Sequence, residues 1–403
     1  MKQIVKTLML AGFTIFFAFT LIKFPKDALE ASIRGLDMWW EIVFPSLLPF
    51  FIIADLLLSF GVVRFLGVIF EPVMRPLFNV PGSGSFAWIM GMASGYPTGA
   101  KISVRLREEK QLSQIEAERL VSFTNASSPL FIFGAISVGF FHDPKLGILL
   151  ATCHYVGNAL VGICMRFYGR TEDQKNKTYK PKQKTSLKRA FTEMHETRIK
   201  DTRPLGEVMG DAVLNSIKTL VMVGGFIILF SVLTKLLFLI EITPIIALVF
   251  QQIFILFGLP VELALPFISG LFEITIGANL VSKESMDPFL ASIIVVSFIL
   301  GFNGFSVQAQ VASIISKTDI RFAPYFFARI LHGFIASFLI ILLYRPLYVN
   351  RQVFEMDEVP VSKPIQQDNM YQVLEQISQI GPLITIVFLA LAVYISLRRM
   401  NNN

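Results

Sequence analysis

Apolar residues run along this chain in stretches close to membrane-crossing length, and short polar breaks interrupt some of them at similar places. Apolar segments occupy roughly residues 7–24, 36–60, 122–141, 146–166, 213–239, 288–308, 323–344 and 379–397, each near the length a helix needs to cross about 30 Å of hydrocarbon. They predict an all-α polytopic membrane protein with about eight full spans. Residues 62–80 carry Arg64, Glu71, Pro72, Arg75 and Pro76 and predict an interfacial segment, with 242–258 as a more apolar counterpart. Residues 84–107 and 262–286 are too short to cross twice. Gly95-Tyr96-Pro97-Thr98-Gly99 breaks the first and Thr275-Ile276-Gly277 the second. Such breaks predict re-entrant hairpins, because unwound backbone is tolerated at membrane depth only where protein or a wet cavity satisfies it.

The breaks recur at a fixed offset of 178 residues. Gly99-Ala100 returns as Gly277-Ala278, Asn125 as Asn303, Ser128 as Ser306 and His154 as His332, in the same order. A repeat of this kind inside apolar stretches is a mark of secondary transporters. Three full spans per copy, an odd number, predict two inverted structural repeats, each with a re-entrant helical hairpin and a broken helix. The chain then divides into an N-terminal helix and short loop (1–35), a first repeat (36–168), a basic linker (169–206), a second repeat (207–345) and an outer loop with a C-terminal helix (346–403).

Composition agrees: 54% hydrophobic residues, 39 Phe and a mean hydropathy of +0.61 lie outside the globular range. The first apolar run follows Lys2 and Lys6 but has no small-residue cleavage site after it, so it reads as a retained helix. The net charge of +7 comes mainly from the linker, where Arg166 to Arg203 hold twelve Lys/Arg against five acids. That is a positive-inside loop in contact with membrane lipids, not a nucleic-acid site. Lys2, Lys6, Arg398 and Arg399 put both termini in the cytoplasm, and the acid-leaning loop from Tyr348 to Gln379 falls outside. Two cysteines and four histidines make no disulfide frame or metal set. Nucleophile-elbow, Walker and HExxH motifs are all missing, so the chain does not read as an enzyme.

Candidate solute-binding residues gather at the breaks. In the first hairpin Ser94, Tyr96, Thr98 and Gly99 surround a point where Pro ends one half-helix and the next presents free N–H groups, an anion cradle. Lys101 reads equally as a partner for an anion or as a cytoplasmic anchor. The segment Ser122 to Pro129 adds Asn125, Ser127 and Ser128, donors spread over one and a half turns. The second copy offers Glu273, Thr275, Gly277 and Asn279 at the hairpin, then Asn303, Ser306 and Gln310, spaced to share one helix face. Glu273, an acid among apolar neighbours, reads as a proton carrier or cation ligand, and Asp55 as a weaker candidate of the same kind. His154 and His332 read as packing or interfacial histidines. No cofactor is expected. Whether a coupling ion (H+ or Na+) is used, and whether copies of the chain form a homo-oligomer, stay open.

Pro45-Ser46-Leu47-Leu48-Pro49-Phe50, Met92 to Ala100 (MASGYPTGA), Thr124 to Pro129 (TNASSP) and Gly301 to Ser306 (GFNGFS) together resemble the sporulation integral membrane proteins of Bacillus-like endospore formers, within the nucleoside-recognition, or Gate-domain, superfamily. The resemblance covers nearly the whole chain. It implies a transporter of dipicolinic acid, a small anionic solute, from the mother-cell cytosol across the outer forespore membrane by alternating access. It also implies a distant likeness to concentrative nucleoside transporters, so a nucleoside-type solute is the alternative, and a non-transporting scaffold for the spore envelope a further one. Thr98 and Gly99 would form the first tip, facing Asn125 and Ser128. Glu273 to Asn279 would form the second, facing Asn303 and Ser306. Phe123, Phe302 or Phe305 would stack on the solute ring.

Overall fold

A computed structural model describes residues 2–170, 186–284 and 289–350, all helical apart from short connections. Helix α1 (Lys2–Lys23) turns through 102° into α2 (Pro25–Asp37). The bend falls at Pro25, which lacks an N–H and suits a first helical position. A π-helical turn, Met38–Val43, leads into α3 (Phe44–Ser59), and Gly61, at φ 77°, turns the chain 82° into α4 (Val62–Phe78). The first hairpin follows as α5 (Gly84–Ser94) and α6 (Thr98–Glu108). Then come α7 (Gln114–Thr124), a π-helical stretch Leu130–Phe140, and α8 (Leu146–Met165).

The basic linker is not all loop. Ser186 accepts a hydrogen bond from the Arg189 N–H (3.3 Å) and starts α9 (Leu187–Lys200), whose Phe191 ring meets Phe65 of α4 at 5.0 Å. Leu187, Ala190, Phe191 and Met194 recur at three and four residues, a helical stripe hidden among the charges. The second half runs through α10 (Leu205–Leu239), α11 (Ile242–Leu256), a hairpin of α12 (Ala264–Phe272) and α13 (Ile274–Lys283), then α14 (Phe289–Phe302), α15 (Gly304–Ile315) and α16 (Phe322–Tyr344).

Among the described residues four helices are long and apolar enough to cross a membrane, or up to six if each bent pair counts once, where the sequence predicts seven of its eight spans. The segment 122–141 fails because residues 125–128 leave the helix altogether. The segment 379–397 lies outside the described residues, as does the C-terminus.

Packing is matched between the halves. As α5 packs on α6, α12 packs on α13; as α6 packs on α15, α13 packs on the Leu130–Phe140 stretch; as α7 packs on α16, α14 packs on α8. Gly99 and Gly277, one repeat apart, allow two close backbone approaches, of the first hairpin to α7 and between the arms of the second hairpin. A Cβ on Gly99 would strike the Thr124 carbonyl oxygen, and one on Gly277 the backbone of Gly270. Small residues that let backbones touch are how helices associate where no hydrophobic force separates them from lipid.

Polarity is inside out. On α16, Tyr325, Ala328, Arg329, His332, Ala336 and Ile340 face inward at helical spacing, while Phe327, Phe334, Phe338 and Ile341 are exposed, the pattern expected against lipid. At one end the two halves are clamped by ion pairs: Arg107 donates to both Asp319 oxygens (2.9 and 2.7 Å), and Arg321 reaches the buried Glu118 at 2.8 Å.

Candidate functional site

The first hairpin breaks where the sequence places it. Helix α5 stops at Ser94 because Gly95 takes φ 89° and ψ −168°, closed to residues with a side chain, and α6 resumes at Thr98 after Pro97. The second hairpin breaks earlier than expected, at Glu273 rather than at Thr275 to Gly277. Glu273 is the N-cap of α13: its carboxylate accepts the Ile276 N–H at 2.9 Å and the Thr275 hydroxyl. A carboxylate at a helix N-terminus satisfies donors the helix cannot. Thr275 and Gly277 therefore belong to the first turns of a helix.

The facing helices are broken as well. Helix α7 ends at Thr124 and residues 125–128 are non-helical. Between α14 and α15, Asn303 sits in the left-handed region at φ 75°, which Asn tolerates better than most residues. Asn303 is thus off the helix, and of the expected one-face set only Ser306 and Gln310 lie on α15. Gln308, unremarked in the sequence, donates from Nε2 to the Phe302 carbonyl at 3.0 Å.

The two breaks meet. Asn303 Nδ2 donates to the Asn125 carbonyl (3.1 Å) and to the Tyr325 hydroxyl (3.3 Å), which also takes Asn125 Nδ2 at 2.8 Å. His332 Nε2 bonds the His154 carbonyl at 2.8 Å, with the rings 4.7 Å apart. Positions matched by the repeat therefore touch one another. His154 Nε2 accepts the Ser127 N–H (2.9 Å), so its hydrogen is on Nδ1. Both histidines are fully buried.

Arg329 stands at the centre. Its guanidinium is 0% exposed and reaches the carbonyls of Asn125 (3.2 Å) and Ser122, Asn158 Oδ1 (3.1 Å) and His332 Nδ1 (3.1 Å). No Asp or Glu among the described residues pairs with it. A buried cation without a counter-charge is costly. Around it the Arg329 Nε, His154 Nδ1, Ser127 Oγ, Asn125 Oδ1 and Asn303 Oδ1 atoms are buried with no hydrogen-bond partner, as are Ser94 Oγ and Thr98 Oγ1 at the first tip. Arg329 was legible only through the rule already applied to Glu273, that an ionisable residue inside an apolar span is a candidate, and the amide of Asn158 and the Tyr325 hydroxyl carried no such signal.

Other expected residues are placed nearby without joining this network. Tyr96 spans the halves, its hydroxyl donating to the Leu300 carbonyl at 2.9 Å. Ser128 lies against Gly95 and accepts the Phe131 N–H at 3.3 Å. Ser306 and Gln310 are buried on α15, and Asn279 is half-buried on α13; no hydrogen bond of their side chains links them to Asn125 or Asn303. The Phe123 ring stacks on Phe78 at 4.6 Å and is engaged away from the crossing. Lys101 pairs with Asp55 at 3.4 Å, and its ammonium lies 4.7 Å from the Phe51 ring centre. Among the described residues no group of His, Cys, Asp and Glu could hold a metal ion.

Comparison with known proteins agrees with this architecture. The family model described as nucleoside recognition (Gate) matches residues 40–141, the first hairpin and its broken helix. The chain is also 50% identical, over 402 residues covering 99% of its own length and 98% of the relative's, to the sporulation integral membrane protein YlbJ of Bacillus subtilis (strain 168). The chain belongs to the YlbJ family. It is a multi-pass membrane protein related to the nucleoside-recognition Gate proteins. No solved structure matches it.

Proposed function

We propose that this YlbJ-family protein is an alternating-access solute carrier that holds a small carboxylate solute where its two broken helices cross. The carrying observation is the buried guanidinium of Arg329, without an acid partner among the described residues, with Arg329 Nε–H, His154 Nδ1–H and the Ser127 hydroxyl buried and unbonded there beside two free amide oxygens, Asn125 Oδ1 and Asn303 Oδ1. A carboxylate would supply the missing counter-charge and accept from Arg329 Nε–H, His154 Nδ1–H and the Ser127 hydroxyl, bonds worth most in a dry site. Dipicolinate, a planar dianion, fits that demand, and the relative's name supports work during sporulation, hence the outer forespore membrane as location. Asn125, Asn303, Ser127, Ser94, Thr98 and Tyr96 form the polar wall in this reading, with Glu273 bracing the second hairpin.

Matched contacts support two repeats related by an axis: Asn125 with Asn303 and His154 with His332 each meet their own counterpart, which requires both pairs to lie near that axis, and inversion of one copy is the reading tested below. Both termini are then cytoplasmic by the lysine and arginine bias. The description of the matching family model favours a second reading, a nucleoside-type solute, whose ribose and base would use the amides of Asn125 and Asn303 and leave Arg329 with a structural role.

Proteoliposome uptake separates them. Labelled pyridine-2,6-dicarboxylate should accumulate, unlabelled pyridine carboxylates should compete and uridine should not. Competition by uridine alone would establish the second reading, and uptake of neither solute would refute the carrier.

A further inference from the structure

A cavity of about 320 Å³ opens between α3, α6, α10 and α15, within the size range of small-ligand sites. Helix α15 leads from the crossing to this cavity, beginning beside Asn303 and bringing Ile314 of its last turn to the cavity wall, while Lys101 lies one turn along α6 from the Thr98 tip. Five lining side chains are cations and three are acids. Most of these charges are spoken for: Arg203 is held by Asp211 and Asp201, both at 2.6 Å, and Arg105 by Glu109 at 2.7 Å. Lys218 and Lys317 make no ion pair among the described residues. Lys101 has only the long 3.4 Å contact to Asp55, both side chains 19% exposed, well beyond the 2.7–2.9 Å or so of a strong charge-assisted bond.

We propose that this cavity is an anion-binding vestibule, in which Lys101, Lys218 and Lys317 receive the carboxylates of the solute before it moves to the crossing, and Asp55 is the internal carboxylate that the solute displaces from Lys101. The inference rests on the carrier reading for its role in transport, but anion binding in the cavity stands on the lining charges alone. The loose pair is the device. A tight Asp55–Lys101 bond would exclude an incoming anion, and a lysine with no partner would leave a cation uncompensated beside the Phe51 ring. The cavity adjoins the end of the basic linker at Asp201 and Arg203, which makes its mouth cytoplasmic by the positive-inside rule.

Asn215, exposed on the cavity wall, provides a reporter. In full-length reconstituted protein with Cys164→Ser, which removes the exposed native thiol and leaves the buried Cys153, Asn215→Cys should react about fivefold or more faster with a sulfonate thiol reagent than with a trimethylammonium one of equal size. Lys101→Met or, separately, Lys218→Gln should lower that ratio, Asp55→Asn should raise it, and pyridine-2,6-dicarboxylate should slow the labelling. Equal rates for both reagents, or a ratio unmoved by all three substitutions, would overturn the proposal. The labelling needs no transport, so charge selectivity without uptake would sink the carrier reading and leave the vestibule, while uptake without selectivity would do the reverse.

Discussion

Asn303 does two jobs that substitution can separate. It holds a backbone conformation at φ 75° and donates from Nδ2 to the Asn125 carbonyl and the Tyr325 hydroxyl, all buried. Asn303→Gly keeps the backbone available and deletes the amide. Asn303→Ala deletes the amide and also forces a methyl into the left-handed region, at a further cost of roughly 1–2 kcal/mol. Leaving the buried acceptors short of a donor costs about 1–3 kcal/mol. The glycine variant should therefore melt lower than wild type in detergent by the equivalent of about 1–3 kcal/mol, and the alanine variant lower still by the left-handed cost. Wild-type melting in Asn303→Gly would refute the bridging role of the amide. Equal melting of the two variants would refute the backbone argument.

Four further outcomes follow from the same geometry. Gly99→Ala and Gly277→Ala should each destabilise by about 1–3 kcal/mol in thermal melts, because the new methyl meets backbone atoms, whereas Gly210→Ala, with open space around it, should not. Single cysteines at Lys101 and Glu284 should label from opposite sides of the membrane, and labelling from the same side would sink the inversion. Glu273→Ser, which can still cap α13, should melt close to wild type, while Glu273→Ala should lose about 1 kcal/mol; indifference to both would remove the capping role. The Arg203 guanidinium holds the Asp201 carboxyl down to about 2, so the pair is fully formed above the ordinary carboxylate range and fades only as pH falls toward 2. Asp201→Asn should then leave the slope of melting temperature against pH unchanged between about pH 5 and 8.

Sequence reasoning went furthest where chemistry was written in the residue itself. Gly95 and Pro97 announced the first hairpin, the one by a conformation closed to side chains and the other by its missing N–H, and the 178-residue offset matched Asn125 to Asn303 without saying that the two would touch. It failed where one helical turn decides the outcome. Thr275 and Gly277 look like a break, but Glu273 caps the helix two residues earlier. The segment 122–141 counts as a span by composition, yet the backbone around Asn125 leaves the helix to meet Asn303. Arg329 was visible as a cation in an apolar stretch, but only packing reveals that its side chain turns inward, away from any acid, and not toward the interface. Helix α9 was masked by the charge of its linker.

The most direct test of the carboxylate site is equilibrium binding to purified, detergent-solubilised protein. Isothermal titration with pyridine-2,6-dicarboxylate, and with uridine as comparison, should be run on the wild type, on Arg329→Gln and on Arg329→Lys, each confirmed folded by size-exclusion chromatography. The account predicts saturable dicarboxylate binding to the wild type, its loss in Arg329→Gln and partial retention in Arg329→Lys. Dicarboxylate binding undiminished in folded Arg329→Gln, or binding of uridine and not of the dicarboxylate, would contradict it.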